Sequence, residues 1–159
     1  MPTLHLMVGL PCSGKTTFAK KLAAETGALL LSLDVWHLRL FGDDVGHPDH
    51  DARHMAIEQI MWDMARHVLT LGGDVVLDYG CWARAERDDY RARAKALGAA
   101  FALYYMDVPL DELYRRLDER NRNPAQGSFV IPRAEMDRYL PFFEPPTPDE
   151  LMDAKGEYS

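Results

Sequence analysis

The run GLPCSGKT, from Gly9 to Thr16, matches the pattern G-x-x-x-x-G-K-[ST] at every fixed position. Each residue type in it has a chemical task. Gly9 and Gly14 carry no Cβ, so the backbone there can wrap closely around an anion. Successive N–H groups of Cys12, Ser13, Gly14, Lys15 and Thr16 then form a concave nest for phosphate oxygens. From Thr16 and Thr17 onward the chain reads as a helix, whose N-terminal dipole adds to the attraction. Lys15 supplies a mobile ammonium for β- and γ-phosphates, and Thr16 offers a hydroxyl to Mg²⁺. A lysine in such a loop would cost desolvation without an anion to meet it. The chemistry implied is the binding of ATP with Mg²⁺.

Two acids stand at the ends of apolar runs: Asp34 after ALLLSL (Ala28 to Leu33), and Asp78 closing VVLD (Val75 to Asp78). Asp34 could be a helix N-cap, or a general base that orients and deprotonates a hydroxyl. Asp78 could hold a Mg²⁺ water or contact substrate. Arg116 and Arg120 sit four apart, on a common helix face. They could neutralise a transferred phosphoryl group, or form a solvated face paired with Asp118 and Glu119. Trp36, His37, Arg39, Tyr79 and Trp82 flank the two acids and could wall a substrate pocket, or simply pack. Among the six histidines only His47 and His50 have any metal-ligand spacing, and they read as loop residues. Cys12 reads as a small filler whose thiol the loop's positive field could acidify.

These residues need elements to position them. TLHLMV (Thr3 to Val8) reads as a buried strand, and TTFAKKLAAETG as a helix with Phe18, Leu22 and Ala23 on one stripe and Gly27 as its stop. ALLLSL, apolar on both faces, suits a parallel strand covered on two sides. A short helix over Asp34 to Gly42 and a polar, substrate-covering connection over Asp43 to His50 follow. The longest helix spans Asp51 to Gly73, with Ile57, Ile60, Met61, Met64, Ala65 and Val68 as its apolar stripe. VVLD is a third strand, RAERDDYRARAKALG a charged surface helix, and AFALYYMDV a fourth strand. PLDELYRRLDERNRN opens with proline at a helix start, and RAEMDRYLPFF is a final short helix. Strands alternating with helices predict an α/β fold with a mainly parallel sheet flanked by helices. Ligands then sit beyond the carboxyl ends of the strands, where the glycine loop, Asp34 and Asp78 all belong. Residues 1–143 form the expected domain, and 144–159 an acidic, proline-rich tail lying extended on the surface or frayed.

A length of 159 residues with 47% hydrophobic and 27% charged side chains suits one globular domain. The net charge of -7 argues against a nucleic-acid surface, which is normally basic. Two cysteines, Cys12 and Cys81, are too few for a disulfide scaffold and suit free thiols in a reducing cytoplasm. No apolar run approaches a membrane span, and the first strand begins too early to leave room for a signal peptide.

GLPCSGKT, LSLD, VVLDYGCWARAER, MDVPLDELYRRLDERN and FEPPTPDE together resemble the small phosphate-loop kinases, over nearly the whole chain. That superfamily includes gluconate and shikimate kinases, chloramphenicol phosphotransferase, zeta-toxin-like kinases and the kinase domain of phage polynucleotide kinase. The closest likeness is to a broad bacterial group of ATP-binding proteins within it. The resemblance implies a three-layer phosphate-loop NTPase fold, ATP and Mg²⁺ as donor and cofactor, and a catalytic carboxylate at Asp34. It also implies lid arginines at Arg116 and Arg120. Polynucleotide-kinase-like members carry an arginine three positions after the acid. Here that position is His37, and Arg39 follows two later. The expected activity is therefore phosphoryl transfer from ATP to a hydroxyl of a small molecule. The alternatives are a kinase for nucleic-acid 5′ ends or nucleotide sugars, and an ATP-binding switch acting on a protein partner.

Overall fold

The structure, a computed structural model, describes residues 1–124 and 128–151. Its strands are β1 (Thr3–Val8), β2 (Leu29–Ser32), β3 (Val75–Asp78) and β4 (Ala100–Tyr105). Its helices are α1 (Lys15–Thr26), α2 (Leu33–Phe41), α3 (His50–Thr70), α4 (Arg84–Ala96), α5 (Leu110–Arg122) and α6 (Arg133–Tyr139), with a 3₁₀ turn at Leu140–Phe142. The strands form one parallel sheet in the order β2-β3-β1-β4. Period-two alternation sorts the strand side chains into two layers. Leu4, Leu6 and Val8 of β1 join Val75 and Leu77 of β3 on the face covered by α3 and α4. Met7 and Val76 point to the opposite face, against Ala19, Phe18 and Leu22 of α1. A third cluster, built on Leu10, Leu113, Leu117, Phe129, Ile131 and Met136, packs α5 and α6 beside the loop after β1. No helix among the described residues is long and apolar enough to cross a membrane.

Several local expectations are corrected. On α3 the buried row is Ile57, Met61, Ala65 and Leu69, while Ile60 and Met64 are 54% and 38% exposed. The buried row repeats every four residues and is narrower than the stripe read from periodicity, so Ile60 and Met64 spill onto the surface. β2 is parallel and covered on both faces as expected, Leu29 and Leu31 packing on one side and Leu30 on the other, and it lies at the edge of the sheet. α2 begins at Leu33, which makes Ser32 the residue before it and puts Asp34 inside the first turn. Asp34 therefore does not cap the helix.

The connection from α2 to α3 is more than a polar loop. Asp44 is nearly buried, and its Oδ1 lies 2.6 Å from both His37 Nε2 and His50 Nδ1. Arg53 donates to its Oδ2 at 2.8 Å. Burial would raise the Asp44 carboxyl, but His50, Arg53 and His37 outweigh it and hold it well below the ordinary carboxylate range. The tail also departs from expectation. Residues 152–159 lie outside the described residues, but the preceding stretch is pinned to α4. Arg87 and Glu150, 1% and 0% exposed, form a two-pronged ion pair at 2.8 and 3.2 Å. Arg84 reaches Thr147 and Asp149, and Arg91 donates to the Glu150 carbonyl.

Two outcomes follow. Glu150→Ala leaves a buried guanidinium without its partner and should cost about 3–5 kcal/mol in urea unfolding; a change within about 0.5 kcal/mol would show the clasp to be incidental. Asp44→Asn should lower the melting temperature at neutral pH. An acid whose folded pKa is depressed stabilises above its unfolded value, near about 3.9, and loses that contribution as pH falls through the folded value. The gap between wild type and Asp44→Asn should therefore narrow only below about pH 4. A gap that has already closed well above pH 4 as the pH falls would contradict the assignment to the Asp44 carboxylate.

Candidate functional site

The glycine loop is built against the end of β3. Gly9 N–H donates to the Gly80 carbonyl at 3.3 Å, and Trp82 Nε1 donates to the Gly9 carbonyl at 3.2 Å. A Cβ on Gly9 would lie 2.6 Å from Ser13 Oγ, so only glycine lets the loop close on itself. Cys12 at φ 68° and Gly14 at φ 91° turn the chain into α1. Ser13 Oγ is buried and without a hydrogen-bond partner among the described residues. An unsatisfied hydroxyl inside an anion nest fits a phosphate oxygen. Lys15 Nζ donates to the Leu10 carbonyl at 2.9 Å. Burial lowers the Lys15 pKa, with Asp78 and Asp34 pulling the other way.

Asp78, 8% exposed, closes the bottom of the site. The parallel register sets Ser32 opposite Asp78. Thr16 Oγ1 donates to Asp78 Oδ2 at 2.8 Å and Ser32 Oγ donates to the same oxygen at 3.0 Å. Burial raises the Asp78 carboxyl against the pull of Thr16, Lys15 and Ser32. A carboxylate and two hydroxyls are hard oxygen donors of the kind Mg²⁺ takes. Asp34 is 62% exposed at its side chain, and its Oδ1 lies 3.7 Å from His54 Nε2. His54 Nδ1 in turn lies 2.9 Å from His37 Nδ1, so a chain of rings links Asp34 to Asp44. Burial lowers the His54 pKa while Asp34 opposes it.

The two arginines differ. Arg116 is paired with Glu112 at 2.9 Å and also donates to the Cys12 carbonyl at 3.3 Å. Arg120 donates to the Phe129 carbonyl at 3.2 Å, and its Nε is buried without a hydrogen-bond partner among the described residues. Among the described residues no carboxylate lies within 4 Å of Arg120. Arg122 Nε turns back to the Asp118 carbonyl. The loop's cations do not acidify Cys12. Burial raises its thiol pKa, and Arg120, Lys15 and Arg116 only partly offset it.

A cleft of about 530 Å³ runs from the glycine loop past Asp34 and Asp78. Ser13, Lys15, Thr16, Thr17 and Arg120 line one end. Of the aromatic and basic residues flanking the acids, Tyr79 and Trp82 line the cleft. Trp36 packs into the core, His37 is fully buried against Asp44, and Arg39 is exposed, so none of these three forms its wall. Glu58, Glu86, His54 and Phe129 line it without having stood out in the sequence. As single acids on helices, Glu58 and Glu86 carried no local signal. His50 opens α3 rather than lying in a loop, and its ring nitrogen, with His37 and Asp44, makes a set of ligand-type atoms within 4.8 Å of one another.

The family model described as an AAA domain matches residues 4–146. A search of curated proteins finds no match. Among solved structures, a chain of the Pnkp1/Rnl/Hen1 RNA repair complex is similar at 25% identity and a TM-score of 0.72, over 89% of this chain and 43% of that one. This chain thus spans less than half of that relative. A sugar kinase from Janibacter sp. HTCC2649 is 20% identical over 94% of this chain and 81% of its own, with a TM-score of 0.65. Kti12 of Chaetomium thermophilum in complex with ADP-AlF3 is 20% identical over 92% and 82%, at 0.69. The fold is thus one found in kinases, and the chain is a member of the AAA domain family.

Proposed function

We propose that the protein is a Mg²⁺- and ATP-dependent phosphotransferase that acts on a hydroxyl of a small-molecule acceptor. The observation that carries this reading is the division of the cleft. Lys15 and Arg120, neither within 4 Å of a carboxylate among the described residues, stand at the glycine loop, and the carboxylates Asp34 and Asp78 stand across from them. Cations resting on carbonyl oxygens are held in place without losing their charge, so they are available to phosphate oxygens. The backbone N–H groups of residues 12–16 and Lys15 would bind the β- and γ-phosphates. Thr16 and Asp78 would hold Mg²⁺, directly or through water, and bound Mg²⁺ supplies charge neutralisation between the phosphates. Asp34, exposed at the cleft mouth, accepts the proton of the acceptor hydroxyl in line with the γ-phosphate. Arg120 neutralises the charge spread over the transferred oxygens, and Arg116 braces the loop through the Cys12 carbonyl. Two free cysteines and ATP as donor suit a reducing cytoplasm.

The likeness to a chain of an RNA repair complex favours one other reading, a kinase of nucleic-acid 5′ ends. ADP release measured against sugars, nucleosides, amino sugars and oligonucleotide 5′ ends separates the two. Stimulation by oligonucleotides alone would favour the second.

Lys15→Ala should fold normally, because the loop rests on its glycines and backbone, and should lose at least about a hundredfold in activity, roughly 3 kcal/mol. Full ATP binding and turnover in a folded Lys15→Ala protein would contradict the proposal. Asp34→Asn should keep nucleotide affinity and lower acceptor phosphorylation by about 10² to 10⁴. Asp78→Asn should instead raise the Mg²⁺ needed for half-maximal rate. If Asp34→Asn weakens ATP binding while transfer per bound ATP stays normal, the two roles are wrongly assigned.

A further inference from the structure

The acceptor end of the cleft has a chemical bias that phosphoryl transfer alone does not require. Beyond Asp34 its wall carries Asp51, Glu58 and Glu86. Among the described residues, no arginine or lysine lies within 4 Å of any of these four acids. Glu58 takes a hydrogen bond from Tyr90 at 2.6 Å, and that is its only side-chain partner among the described residues. Burial raises the Glu86 carboxyl and the charge of Glu58 raises it further, with Arg87 and the Ala83 backbone only partly offsetting them, so the two acids repel across the wall. A second observation points to an occupant. Tyr79 lines the same wall at 3% exposure, and its hydroxyl is buried with no hydrogen-bond partner among the described residues. Glu58 and Glu86 are among the charges its hydroxyl feels. A buried hydroxyl left unpaired is destabilising unless a ligand completes it.

We infer that this wall is a subsite for a cationic acceptor: a hydroxyl compound bearing one or more protonated amines. An ammonium group donates hydrogen bonds to the Glu58 and Glu86 carboxylates and to the Tyr79 oxygen. It relieves the repulsion between the two acids. The fit is to an organic cation rather than a metal. The described residues offer a three-ligand metal set only at His37, Asp44 and His50. The same charges disfavour acceptors that are themselves anionic, such as sugar acids and polynucleotide ends.

This inference rests on the phosphotransferase reading, so its test separates the two. Glucosamine and kanamycin are titrated calorimetrically into the full chain holding Mg²⁺ and a non-hydrolysable ATP analogue, each beside its fully N-acetylated counterpart. Gluconate is the anionic control. At least one amine should bind at least about tenfold more tightly than its acetylated form, and Glu58→Gln/Glu86→Gln should remove that preference. If the double variant does not fold, Glu86→Gln alone should reduce it at least threefold, by about 0.65 kcal/mol. Equal binding of amine and acetylated forms, no binding of either amine, or a preference unchanged in the variant overturns the inference. ADP release, measured separately, reports on the kinase reading. Release driven by gluconate or neutral sugars while amines are ignored keeps the kinase and removes the cation subsite. Amine binding lost in the variant, with no ADP release for any acceptor, keeps the subsite and removes the kinase.

Discussion

One oxygen of Asp78 joins the parts of this site that lie far apart in the chain. Thr16 from α1 and Ser32 from the end of β2 both donate to it. That meeting exists because β1, β2 and β3 are parallel, so their carboxyl ends reach the same edge of the sheet. The backbone bridges between Gly9 and Gly80 and the Trp82 indole then fix the glycine loop to the same strand end. A sheet that ran antiparallel would send Ser32 and Asp78 to opposite edges.

Charge is divided along the cleft in a way the net charge of -7 hides. At the glycine loop, Lys15, Arg120 and Arg116 all donate to backbone carbonyls, and among the described residues only Arg116 of the three also has a carboxylate partner. At the far end, among the described residues, no arginine or lysine pairs with Asp51, Glu58 or Glu86, and Asp34 has only His54 beside it at 3.7 Å. Elsewhere the molecule pairs its charges closely, as at Arg87 with Glu150 and Asp44 with Arg53. Charges of opposite sign left largely without salt bridges at the two ends of one cleft cost stability, and the proposed binding of an anion at one end and a cation at the other would account for that cost.

The α/β class was legible because each strand is a short apolar run and each helix a periodic one. The glycine loop was legible because its residues are consecutive, so spacing alone carries its geometry. What failed to show was convergence. Asp44 looked like part of a polar connection because its partners come from α2 and α3. Glu58 and Glu86 looked like ordinary helix acids, since nothing local marks which face of α3 or α4 turns toward a cleft. Glu150 sat in a proline-rich acidic run that reads as extended over the surface or frayed, and the buried guanidinium of Arg87 explains why it docks. Asp34 lost its expected cap position because the helix already starts at Leu33, and the hydroxyl of Ser32, the residue before it, donates to Asp78 instead of capping.

The central claim is that Lys15 and Arg120 rest on carbonyl oxygens and turn to phosphate when nucleotide binds. A crystal structure with Mg²⁺, ADP and aluminium fluoride tests it directly. The account predicts that Lys15 Nζ leaves the Leu10 carbonyl and Arg120 leaves the Phe129 carbonyl, both to contact the fluoride or phosphate oxygens, with Thr16 and Asp78 around the metal. Both cations still on their carbonyls, with the nucleotide phosphates held elsewhere, would contradict it.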